Sequence, residues 1–253
     1  MTASGSGTPR RDGTVSRETS TPPPPPAAVE AFGSALPLAR RYATWLAGEG
    51  VVRGLIGPRE VPRLWERHLV DCAGLAPVAE RVLAEAPRTG AVHVVDLGSG
   101  AGLPGIVLAL LHPQWRITLL EPLLRRATFL TEVVADLALP GVDVVRARAE
   151  DQARTAGAGA DLVVARAVAP MDRLVGWALP LTVPGGSLLA LKGRGAAEEL
   201  QAAGAALRAA GARDSEVVAV PDSPSRVVRV VAGDAPKPAR PGRGRRPRTG
   251  AQA

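Results

Sequence analysis

V-V-D-L-G-S-G-A-G-L-P-G, residues 94–105, decides how this chain is read. An apolar strand runs to Asp96 and Leu97, three alternate glycines follow, and residues 101–111 are apolar enough for a buried helix. Gly98, Gly100 and Gly102 remove side chains between backbone and ligand, so the segment reads as a small-molecule cradle. Two ligands compete for it. The literal G-x-G-x-x-G at Gly100, Gly102 and Gly105 fits a dinucleotide, whereas the D-x-G-x-G that starts at Asp96 fits the methyl donor S-adenosylmethionine.

Downstream, short Val/Leu-rich runs at 91–97, 116–120, 142–145, 161–165 and 187–191 predict parallel strands buried on both faces. Helical stretches at 103–111, 122–137, 171–179 and 196–210 alternate with them. Runs at 216–220 and 226–231, joined by P-D-S-P-S, close the pattern as an antiparallel hairpin. The predicted class is α/β, a Rossmann-like, mostly parallel seven-stranded sheet that resembles that of the class I methyltransferases. The terminal hairpin favours the methyl donor over the dinucleotide. Glu121 ends the second strand, where its carboxylate can accept from two ribose hydroxyls of either ligand.

Upstream, residues 1–28 are rich in Pro, Ser and Thr, with five prolines at 22–26, and are expected to be a disordered leader. Residues 29–90 predict a helical cap, with helices starting near residues 29 and 60 and a third over 75–86. Residues 91–234 form the expected methyltransferase domain, and 235–253 an arginine-rich disordered tail. In the second cap helix His68 and Cys72 lie four apart on the face of Leu64 and Trp65. That spacing suits either a thiol–base pair or two core residues.

At 253 residues with 46% apolar residues the chain can bury a sizeable core. It has no apolar run of about 18 residues, and a soluble, cytoplasmic protein is expected, without membrane or identifiable protein partners. The single cysteine excludes an internal disulfide, and the three histidines have no zinc-site spacing, so no metal is expected. Six of the net +7 charges belong to Lys237, Arg240, Arg243, Arg245, Arg246 and Arg248 in the tail, leaving +1 elsewhere. A nucleic-acid surface on the folded part must therefore be a local cluster. The tail suits a phosphate-binding arm or a solubilising extension.

Several segments in order carry a resemblance: W-E-R-H-L-V-D (65–71), D-L-G-S-G-A-G-L-P-G-I (96–106), L-L-E-P-L-L-R-R-A-T-F-L (119–130), R-A-E (148–150), A-R-A-V-A-P (165–170) and A-L-K-G (190–193). Over about residues 55–231 the chain resembles the bacterial RsmG (GidB) family, guanine-N7 methyltransferases of the 16S rRNA of the small ribosomal subunit. The resemblance implies that Gly98 and Leu103 contact S-adenosylmethionine, that Ala149 and Glu150 border its adenine, and that Arg166 lies beside cofactor and substrate. Asp96, Gly100 and Glu121 join this cofactor set on chemical grounds. Two departures concern the cap: R-G-L at 53–55 replaces an asparagine-centred turn, and Cys72 stands where serine is common.

Guanine N7 carries a free lone pair, so attack on a sulfonium methyl requires alignment but no general base. The segment after the fourth strand agrees, since A-R-A-V-A-P lacks the D/N-P-P-Y/F of amine methyltransferases. Arg166 and Lys192 are the candidate catalytic donors to guanine O6. Arg125, Arg126 and His68 are the candidate RNA contacts, with Arg146 and Arg148 adding to a local basic patch.

Overall fold

The computed structural model describes residues 21–85, 90–156, 159–221 and 223–234. The leader over 1–20 and the tail over 235–253 lie outside them. Strands β1 (His93–Leu97), β2 (Arg116–Leu120), β3 (Val142–Val145), β4 (Ala160–Arg166), β5 (Thr182–Lys192), β6 (Ala212–Ala219) and β7 (Arg226–Ala232) form one seven-stranded sheet of order β3-β2-β1-β4-β5-β7-β6. β1 to β5 pair in parallel, and β7 runs antiparallel to both β5 and β6. The chain reverses its strand order between β1 and β4, so a ligand crevice opens at the carboxyl ends of these two strands.

The cap comprises α1 (Pro26–Phe32), α2 (Leu36–Ala47), the short α3 (Glu49–Val52), a 3-10 segment Pro58–Arg63, a π-helical segment Trp65–Val70, α4 (Asp71–Ala73) and α5 (Leu75–Ala84). Two expectations change here. Helix begins at Pro26, inside the stretch read as leader, and the Trp65 indole N–H donates to Pro22 O at 2.7 Å. The second cap helix is also not one α-helix, because Pro62 brings no N–H to the ladder and the chain passes from 3-10 to π geometry.

The remaining helices are α6 (Gly105–Leu111), α7 (Leu124–Asp136), α8 (Ala149–Ala156), α9 (Met171–Ala178), α10 (Ala196–Ala202) and α11 (Gly204–Ala209). The stretch predicted as one helix over 196–210 is two, and α8 was not predicted at all. Its sequence A-E-D-Q-A-R-T-A is short and polar on average, and the small side chains of Ala149 and Ala153 mark its apolar face only weakly. No helix among the described residues is long and apolar enough to cross a membrane.

Strand alternation divides the core. Leu162, Val164, Leu189 and Leu191 face the cap, α6 and α7, while Val163, Ala165, Leu188 and Ala190 face α9 and α11. Cap and sheet thus share one core, in which Tyr42, Leu46, Trp65 and Leu69 are buried together with Ile106, Val107 and Leu108 of α6. That packing fixes the cap residues relative to the carboxyl edge of the sheet.

Candidate active site

The glycine loop leaves β1 through Gly98 (φ 67°), Gly100 (φ 59°) and Gly102 (φ 95°), all in the left-handed region. The Gly98 and Ser99 amides donate to Leu120 O at 2.9 and 3.1 Å, tying the loop to the end of β2. Asp96 is fully buried. Its Oδ2 accepts from Ser99 Oγ at 2.5 Å and from the Gly105 amide at 3.0 Å, while Oδ1 has no hydrogen-bond partner among the described residues. Burial pushes the Asp96 pKa up to about 6, against the pull of Ser99 and Gly105. Asp96 therefore braces the loop from beneath, and Oδ1 alone is left for a ligand.

Tyr42 of α2, a residue no sequence motif singles out, reaches the loop from the cap. Its buried hydroxyl donates to Ala101 O at 2.7 Å, and burial raises its pKa well above the usual phenol value. This bond latches α2 onto the cradle.

Glu121 follows β2 with its side chain buried. Oε2 accepts from the Gly100 amide and Oε1 from the Leu123 amide, both at 3.0 Å, which leaves each oxygen a lone pair for a hydroxyl. Leu103 and Ala149 are buried, whereas Glu150 is exposed at the start of α8. These residues fit a nucleoside-bearing methyl donor: a side-chain-free loop, a buried carboxylate with free lone pairs and apolar cover. Glu121→Gln is expected to weaken donor binding about ten- to a hundredfold, because an amide NH2 would face a loop N–H and a charged acceptor would be lost. Titration calorimetry with the donor product measures this; affinity within twofold of wild type would remove Glu121 from the cradle.

Arg126, assigned from sequence to RNA, turns back instead, with Nη1 3.8 Å from Glu121 Oε2. Arg125, Arg146 and Arg148 are exposed. Leu123 and Leu124, beside them, are exposed as well.

Arg166 ends β4 and meets the cap. Nη1 donates to His68 O at 3.3 Å and to Cys72 Sγ at 3.1 Å, and Nη2 bonds His68 Nδ1. The structure thus joins three residues singled out from sequence. His68 Nε2 lies 3.3 Å from Glu60 Oε2. Burial, then the Arg166 charge, lowers the His68 pKa, and burial raises the Cys72 thiol to about 11. Cys72 is accordingly a neutral acceptor, not an activated nucleophile. Lys192 is engaged too, donating to Ala169 O at 2.8 Å and to Glu199 Oε1 at 2.7 Å. Glu199 also accepts from the Met171 amide, so Lys192 and Glu199 pin the loop after β4 to α10.

That loop separates two spaces. On one side a cavity of about 1120 Å³ is lined by His68, Asp71, Arg166, Ala167, Lys192 and Ser223, among others. On the other, Val168 packs on the cradle, where a methyl on Gly98 would come within 3.0 Å of its Cγ2. Ala167, between them, has φ 54°, a left-handed conformation costly for a non-glycine residue. The cavity lining carries five carboxylates against three fixed cations among the described residues.

The sequence profile of the rRNA small subunit methyltransferase G family, GidB, matches residues 35–228. The ribosomal RNA small subunit methyltransferase G of Nocardioides sp. is 52% identical over 225 residues, covering 87% of this chain and 85% of that protein. The protein of the same name from Thermobifida fusca is 59% identical over 177 residues, 70% of each chain. That of Streptomyces avermitilis is 52% identical over 233 residues, 87% of this chain and 94% of its own. Among solved structures, the CurJ carbon methyltransferase aligns with a TM-score of 0.52 at 14% identity, covering 81% of this chain and 68% of that one, a likeness of fold alone.

Proposed function

Because the chain belongs to the rRNA small subunit methyltransferase G family, we propose that it transfers a methyl group from S-adenosylmethionine to N7 of a guanine in 16S rRNA. The observation that supports this reading most is the position of the loop 166–168, with Arg166 and Ala167 on the cavity and Val168 on the glycine cradle. A base in the cavity and a donor in the cradle would meet at this wall, at the switch point of the sheet.

Gly98, Gly100, Leu103, Glu121, Ala149 and Glu150 would hold the donor, with Asp96 bracing the loop. Bound there, S-adenosylmethionine supplies an electrophilic methyl group. The protein's task is alignment, since N7 has no proton to lose. Arg166 has five N–H groups and donates three in the hydrogen bonds above, so two remain to meet guanine O6. Lys192 contributes by fixing the loop after Arg166. The excess of carboxylates in the cavity disfavours phosphate, so the base enters alone and the RNA backbone follows the exposed Arg125, Arg146 and Arg148.

Incubation with labelled S-adenosylmethionine and either naked 16S rRNA or small-subunit particles, followed by digestion to nucleosides, is expected to yield 7-methylguanosine. A different methylated nucleoside would overturn the assignment of the atom, and label in neither substrate that of the RNA.

A further inference from the structure

We infer that Glu60 and His68 form a relay that orients Arg166, so that His68 acts as a positioning residue through Arg166 and not as an RNA contact. This deepens the functional reading above and rests on it for its link to turnover.

A guanidinium offers only donors, so the bond from Arg166 Nη2 requires a lone pair on His68 Nδ1. The proton of the neutral ring must then sit on Nε2, which points at Glu60 Oε2 3.3 Å away. Glu60 is held in turn by Arg63, whose Nη2 donates to Oε1 at 2.7 Å. The chain of groups runs from the 3-10 segment through the π-helical segment to the end of β4. Within the π-helical segment His68 presents both its carbonyl and its ring nitrogen to one guanidinium. Cys72 fills the third position as an uncharged acceptor. With three donors committed on one side, the remaining N–H groups of Arg166 are left with one direction to point. An arginine fixed by its own hydrogen bonds aligns a substrate without reorganising during the reaction.

Charge supports the assignment. Glu60 favours a cationic His68, whereas Arg166 and Arg67 oppose it, and burial opposes it most. The neutral ring is the form that can accept from Arg166.

Two measurements test the relay. The protein has three histidines, so 15N labelling of histidine with His68→Asn to identify the missing signals isolates His68. Without RNA or donor at pH 7, His68 is expected as the Nε2–H tautomer with an acceptor Nδ1. A proton on Nδ1 would overturn the relay whatever the substrate proves to be. In turnover, His68→Leu is expected to lower kcat about tenfold or more, through loss of an acceptor for a charged donor, with the donor KM within twofold. His68→Asn, whose Oδ1 can take the place of Nδ1 and accept from Arg166, is expected to stay within threefold of wild type. Equal impairment of both variants in folded protein, or no loss in His68→Leu, would refute the positioning role. Failure of wild type to methylate RNA would instead strike the functional reading and leave the tautomer result standing.

Discussion

Arg166→Ala is expected to lower kcat for methyl transfer by about two to three orders of magnitude while donor affinity changes little, as when a preorganised donor to the reacting group is removed. Arg166 closes β4 on the wall between cavity and cradle, and its guanidinium is braced by His68 and Cys72. Truncation removes the donors proposed to meet the base and leaves His68 Nδ1 and O without their cationic partner, a stability loss of about 1–3 kcal/mol. Arg166→Lys should recover little of the rate, because an ammonium cannot span His68 and Cys72 while still facing the base. Single-turnover rates with saturating RNA and donor separate these variants. An Arg166→Ala enzyme within threefold of wild type would place the base elsewhere.

Gly102→Ala should be strongly damaging to the cradle, because it combines backbone strain with overpacking. At φ 95° any side chain is strained, and the added carbon would lie 2.4 Å from Ile106 Cδ1 and 2.9 Å from the Tyr42 hydroxyl. Backbone strain of about 1–3 kcal/mol and overpacking of about 1–3 kcal/mol both act. The melting temperature should fall by roughly 5–15 °C for a chain of this size, and donor binding should be lost with the Tyr42–Ala101 latch. Gly176→Ala is the matched control. It lies within α9 with nothing inside 4 Å of the new carbon, and should stabilise by about 0.5–1 kcal/mol. If both variants melt alike, the tight fit of the loop is not what holds the cradle.

The sheet was legible in the sequence because its strands are short apolar runs punctuated by polar turns. The expected bounds of β2 and β3 coincide with the structure, Arg116–Leu120 and Val142–Val145. β5 begins earlier than expected, at Thr182, because V-P-G-G reads as a turn; Gly185 (φ 78°) does break the register there, and pairing with β4 resumes at Ser187. The cradle was legible for the same local reasons: glycines at positive φ and an acid after a strand both leave marks within a few residues. Partnerships across the fold leave none. Arg166 and His68 are 98 residues apart, Tyr42 and Ala101 are 59 apart, and only the packing of cap on sheet brings each pair together. The π-helical turn was hidden as well, since Leu64, Trp65, His68 and Cys72 recur at a spacing that reads as a single α-helix.

Under the proposed function, the cavity and the cradle align guanine N7 with a methyl donor. Comparing RNA that carries guanine with RNA that carries 7-deazaguanine, a carbon replacing N7 and the rest of the base retained, tests this most directly. Both RNAs are expected to bind and only the first to be methylated; comparable transfer to the 7-deazaguanine RNA would rule out N7 as the acceptor.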